Sequence, residues 1–217
     1  MNFKKIRDYH VRELEEKAAG VLETHFGQSL AIPIDIDLIA EEMDVLIDTR
    51  PGLLEKKTPG MVWREHSGIY YIIIDEHVAD YILNLYRFTV AEEIGHIILH
   101  PDVIDELDSE EKVGELLEWD GYHNMDYQAK RFGAALLMPP ALITSSAERI
   151  YPKLVKEAKF GDFDAVKAWL SSILSKEFLV SQPAMTNRLS HAYPMGIYNR
   201  VDQSMMNKSD ILLQSVV

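Results

Sequence analysis

Arg87-Phe88-Thr89-Val90-Ala91-Glu92-Glu93-Ile94-Gly95-His96-Ile97-Ile98-Leu99-His100 is the stretch on which the reading of this chain turns. It contains no proline, and Pro101 follows at once, so it reads as the end of a long helix running from about Ala79 to Leu99. On such a helix Glu92, His96 and His100 recur every four residues and share one stripe, with Glu93 beside them. A glutamate pair followed by a histidine is also common on solvated helix faces, so the spacing by itself decides little.

The same spacing is that of the zinc-peptidase motif H-E-x-x-H. There, two histidines one helical turn apart point at one metal, and the glutamate after the first holds the attacking water and takes its proton. Glu93 and His96 stand in the positions of the base and the second ligand, and the first-ligand position is Glu92.

The surrounding phrase resembles the ImmA/IrrE family of metallopeptidases, in which an R-F-T-x-A lead-in precedes H-E-x-G-H and a short apolar run ends in L-H. Downstream, Met125-Asp126-Tyr127-Gln128-Ala129-Lys130-Arg131-Phe132-Gly133-Ala134-Ala135-Leu136-Leu137-Met138-Pro139 is similar to the family's second helix, where a glutamate three residues before the matching alanine supplies the third ligand. Asp126 occupies that place. Ile32-Pro33-Ile34-Asp35-Ile36-Asp37-Leu38-Ile39-Ala40 resembles the family's opening helix, and Ser67-Gly68-Ile69-Tyr70-Tyr71 its central strand. Phe178-Leu179-Val180-Ser181 through Asn187-Arg188-Leu189 is similar to its closing helical pair. The likeness runs in order over roughly residues 30 to 190.

The resemblance implies an α+β, zincin-like metallopeptidase fold, mainly helical, with a small mixed or antiparallel sheet and a C-terminal helical elaboration. It implies Glu93 as general base and Glu92, His96 and Asp126 as metal ligands, in a protein that cleaves or inactivates a DNA-binding repressor. His100 and His123 are secondary candidates. His100 precedes Pro101 at a helix C-terminus, where the dipole favours positive charge, and is read as a cap. His123 follows Gly121-Tyr122 and is read as loop, although it lies one turn before Asp126.

Two of the three inferred ligands depart from the family pattern. Zinc held by two histidines and a glutamate keeps a charge of about +1, which acidifies its bound water. With Glu92, His96 and Asp126 the ligand charge cancels that of the metal, and Asp126 is shorter than glutamate by about 1.5 Å. Two outcomes stay open. One is a divalent metal, zinc by resemblance or manganese or another hard cation by ligand type. The other is an empty site, in which crowded carboxylates have raised pKa values and their field favours a protonated imidazole. A proton, a water network or a His96 ion pair is then expected in the place of the metal. The expected function is that of a regulator acting on a repressor with impaired zinc-dependent proteolysis; the alternative is an active metal-dependent endopeptidase with a Glu/His/Asp site.

Composition narrows the rest. The chain of 217 residues has no cysteine, which excludes thiolate metal sites and cysteine nucleophiles. A net charge of −13 repels phosphate backbones. In the C-terminal helical pair only Arg188 offers a basic side chain on the second helix, so no direct nucleic-acid contact is expected. No apolar run approaches the ~20 residues of a membrane span, and Met1 to Lys17 lacks the core of a signal peptide; a cytoplasmic protein is expected.

Around the central phrase, helices are expected over Ile6 to Phe26, Asp35 to Met43, Asn124 to Met138, Ile143 to Lys159, Asp162 to Phe178 and Ser181 to Leu189. Val45 to Ile47 reads as a strand, and Gly60 to Trp63 with Gly68 to Ile74 as a hairpin. The acidic run Asp105 to Glu118 reads as a solvated segment, and Trp119, Tyr122 and Tyr127 as packing aromatics. The expected organisation is an N-terminal helix (1–29), a metallopeptidase-like domain (30–142), a C-terminal helical segment (143–200) and a flexible tail (201–217).

Overall fold

The computed structural model describes residues 3, 6–56, 58–157, 163–191 and 196–203. They fall into two compact units, Met1–Leu137 and Met138–Val217. Most of the tail assigned to 201–217 lies outside the described residues, as does Asp162. No helix among the described residues is long and apolar enough to cross a membrane.

The first unit opens with α1 (Val11–Phe26), whose buried Leu14, Ala18 and Leu22 recur every fourth residue and pack on α7. Helix α2 (Ile36–Glu42) starts at Asp35, whose carboxylate accepts the Leu38 N–H at 3.1 Å. Three strands follow: β1 (Val45–Arg50), β2 (Gly60–Arg64) and β3 (Tyr70–Asp75), in the spatial order β1-β3-β2. β2 and β3 form the expected hairpin, Val62 opposite Ile72. β1 joins β3 in parallel, Ile47 beside Ile72, so the sheet is mixed.

The sheet lies against α4. A Cβ on Gly60 would stand 2.5 Å from Thr89 Cγ2 and 2.9 Å from Ile74 Cδ1, so this strand start must be glycine for β2 to reach the helix. The expected single helix from Ala79 to Leu99 is two, α3 (Glu76–Tyr81) and α4 (Leu83–Leu99). Ile82 lies between them at φ −127°, ψ 64°, outside the helical region, with no proline or glycine to announce the break.

The acidic run folds as α5 (Pro101–Ile104) and α6 (Glu110–Leu117). It is not simply solvated, because Leu107, Val113 and Leu116 are buried while most of its acids face water. Burial of one apolar stripe outweighs the charge of the other. Then comes α7 (Tyr122–Leu137).

In the second unit, α8 (Pro140–Glu157), α9 (Phe163–Glu177) and α10 (Gln182–Ser190) pack consecutively, with Ser181 capping α10 through the Ala184 N–H at 3.2 Å. Arg188 is buried here, its Nε donating to the Met138 carbonyl at 3.1 Å.

Candidate metal centre

The centre is built where α4 crosses α7. A Cβ on Gly95 would come within 3.0 Å of the Ala129 carbonyl oxygen, and one on Gly133 within 3.1 Å of the Glu92 nitrogen. Two glycines on facing helices thus let the backbones nearly touch. Glu92 and His96, one turn apart on α4, then face Asp126 on α7, and one ligating atom from each lies within 4.8 Å of the other two.

His100 and His123 stand outside this group. His100 ends α4 as expected, yet it is 3% exposed, and its pKa falls to about 4 because burial disfavours the charged ring. It is a neutral ring bonded to the Met125 backbone, not a cation on the helix dipole. His123 is exposed in the first turn of α7, on the helix and not in the loop.

Burial dominates the electrostatics. Glu93 is 6% exposed and its pKa is raised well above the carboxylate range, by burial first and then by Glu92 and Asp126. Burial likewise pushes Glu92 up to about 8; Lys130 opposes the shift, and Asp126 adds to it through its charge and a side-chain hydrogen bond. His96 moves the other way. Burial, with His100 next, lowers it to about 3 despite the field of Asp126. The imidazole is neutral, so the expected protonated His96 and His96 ion pair are not what holds this centre: dehydration of the ring costs more than the acids return.

The cation present is one that sequence reasoning missed. Lys130 Nζ lies 2.7 Å from Asp126 Oδ2 and 3.8 Å from Glu92 Oε1. The signal was there, since lysine four residues after an aspartate on a helix is a standard pair, but nothing local tied it to Glu92.

Tyr122 also belongs to the site. Its ring stacks over His96, with centroids 6.5 Å apart and planes at 13°, and its hydroxyl donates to Asp126 Oδ1 at 3.4 Å. Trp119 packs on Phe3 with ring centroids 5.5 Å apart, and Tyr127 is exposed, so the three aromatics have three separate fates. Glu93, His96 and Tyr122 line a crevice of about 20 Å³ between Gly60, Met61 and Val62 of β2 and Val113, Leu116 and Leu117 of α6.

Comparison with known proteins completes this geometry. A family model described as the IrrE N-terminal-like domain matches residues 40–190. The chain belongs to the ImmA/IrrE family. No curated protein matches it. The fold of this family member is accordingly the α+β, zincin-like one, and the family implies a metal-dependent fold.

The family's metal can be tested against the side chains present. Glu92, His96 and Asp126 are close enough together to converge on one ion, and the imidazole is neutral, as a ligand must be. Two carboxylates and one imidazole suit a hard cation better than zinc. Lys130, however, already points its ammonium at both carboxylates. With that ammonium in place the three ligands do not fit a divalent ion, because both cations would claim Asp126 Oδ2 and would repel each other beside Glu92.

Proposed function

We propose that this ImmA/IrrE protein is a regulator that binds a protein partner, a DNA-binding repressor, without hydrolysing it. The observation that carries the reading is the crevice beside Glu93. Its volume of about 20 Å³ is room for a single water, and its walls include the apolar side chains of Val113, Leu116 and Leu117 on α6. The state of Glu93 supports it as well. A general base must be ionised, and burial, with Glu92 and Asp126 nearby, raises the pKa of this carboxyl well above the ordinary carboxylate range, which disfavours its ionised form.

A second reading is an active metal-dependent endopeptidase in which Glu92, His96 and Asp126 hold a hard divalent ion and Glu93 is the base. The convergence of those three side chains favours it.

The test is capture of the repressor from the native host by the full chain, followed by two measurements. Binding unaffected by a chelator and by Glu93→Gln, with the repressor recovered intact after long incubation with Mn(II) or Zn(II), is the expected result. Metal-dependent cleavage that disappears in Glu93→Gln would establish the second reading instead.

A further inference from the structure

The α4–α7 crossing places a positive charge where the family implies a metal. Lys130 sits one turn after Asp126 and one turn before Gly133, where an added Cβ would press on the backbone of Ala91 and Glu92. That close approach sets the stretch of α7 carrying Lys130 against the turn of α4 carrying Glu92. The ammonium carries three N–H donors and stands 2.7 Å from Asp126 and 3.8 Å from Glu92. The acids lie within, with side chains 12% and 16% exposed, whereas Lys130 is 50% exposed and comes in from the solvent side.

We infer that the Lys130 ammonium is the resident cation of this centre and that it keeps divalent metals out of the Glu92/His96/Asp126 cluster. The physical reason is competition. A divalent ion needs the Asp126 oxygen that the ammonium holds at 2.7 Å, and its charge repels the ammonium at the same short range. The site is thus a latent divalent-cation site stoppered by its own lysine. The surface-side position of Lys130 makes it the group whose removal opens the site without emptying the core. The inference rests on the reading above only in taking the three residues as the family's ligand positions; it does not depend on the partner.

The experiment compares wild type with Lys130→Ala, Lys130→Met and Lys130→Arg, each stripped with chelator and equilibrated with Mn(II) or Zn(II). Bound metal is counted by elemental analysis, and folding is checked by circular dichroism. Wild type and Lys130→Arg should retain no stoichiometric metal. Lys130→Ala and Lys130→Met should take up one ion per chain, at least about a hundred-fold more tightly than wild type, and lose it when Asp126→Asn is added. A full equivalent on wild type, held as tightly as on Lys130→Ala, overturns the inference. So does a folded Ala or Met variant that takes up none.

Should both variants fail to fold, wild type alone decides. Titration with paramagnetic Mn(II) should leave the amide signals of residues 92–96 and 126–130 unbroadened, and selective broadening of those signals overturns the inference. The two proposals fail separately. Metal on wild type without cleavage of the partner sinks only this one, and cleavage by metal-free wild type sinks only the regulator.

Discussion

Replacing Gly133 by alanine should destabilise the first unit by about 1 kcal/mol, as the difference between an overpacking cost of about 1–3 kcal/mol and a helix-propensity gain of about 1 kcal/mol. The gain is what alanine brings to any helix interior where its methyl meets nothing. At position 133 the methyl would meet Ala91 C and Glu92 N at 3.1 Å and Ala91 O at 3.2 Å. Comfortable carbon contacts begin at about 3.5 Å, so α4 must retreat by a few tenths of an ångström, and backbone atoms cannot swing aside as a side chain would. Gly95 presses on the same crossing from the other helix, with Ala129 O at 3.0 Å and Phe132 Cδ1 at 3.1 Å, and Gly95→Ala should cost a similar amount.

Once one methyl has parted the helices the second has less to displace, so the double variant should cost less than the sum, by about 0.5–1 kcal/mol. Gly20→Ala is the control. This exposed glycine of α1 has no atom within 4 Å of the added carbon, and the substitution should stabilise by about 1 kcal/mol. Urea unfolding followed by circular dichroism measures all four. If Gly95→Ala and Gly133→Ala stabilise as Gly20→Ala does, or if the double variant is strictly additive, the close crossing on which the metal-centre geometry depends is refuted.

Stability should also vary with pH on two limbs. Glu92, raised from 4.5 to about 8, contributes stability that is full below pH 4.5 and lost as pH rises through 8. His96 and His100, lowered from 6.5 to about 3 and 4, contribute stability that is full above pH 6.5 and lost as pH falls toward those values. Between pH 6.5 and 8 only the first effect acts, with a slope of about 1.4 kcal/mol per pH unit for each excess proton held by the folded state. A melting temperature that rises across that interval contradicts the buried, proton-retaining Glu92. Glu93→Gln removes a second raised carboxyl, so its melting temperature should gain on wild type as pH rises above the ordinary value of 4.5; an offset that stays constant above that pH would show that Glu93 does not hold a raised pKa. Asp75→Ala removes the acceptor of two backbone N–H groups, Leu54 at 3.0 Å and His77 at 3.0 Å, and should cost about 1–3 kcal/mol in the same unfolding assay. A loss below a few tenths would mean that water replaces the carboxylate at both.

Much of the centre is legible in the sequence. The four-residue interval from Glu92 to His96 puts them on one stripe of any helix, and the resemblance to ImmA/IrrE proteins singled out Asp126 on another. The hairpin of β2 and β3 was legible too, from β-branched and aromatic residues flanking a polar turn. By contrast, the parallel docking of β1 on β3 depends on a partner more than twenty residues away. The break at Ile82 and the burial of α6 left no local mark either. Apolar Leu107, Val113 and Leu116 sit among so many acids that charge masked them.

The sequence by itself determined which side chains could share a helical face, because the period of a helix is a property of neighbouring residues. Only the tertiary structure decided what those side chains become: that Gly95 and Gly133 let two helices approach too closely for a Cβ between them, that dehydration leaves His96 neutral, and that Lys130, paired with Asp126 by its own helix, also lies near Glu92 on the other. Those outcomes turn on distances and on exclusion of water between segments some forty residues apart in the chain, which no local pattern encodes.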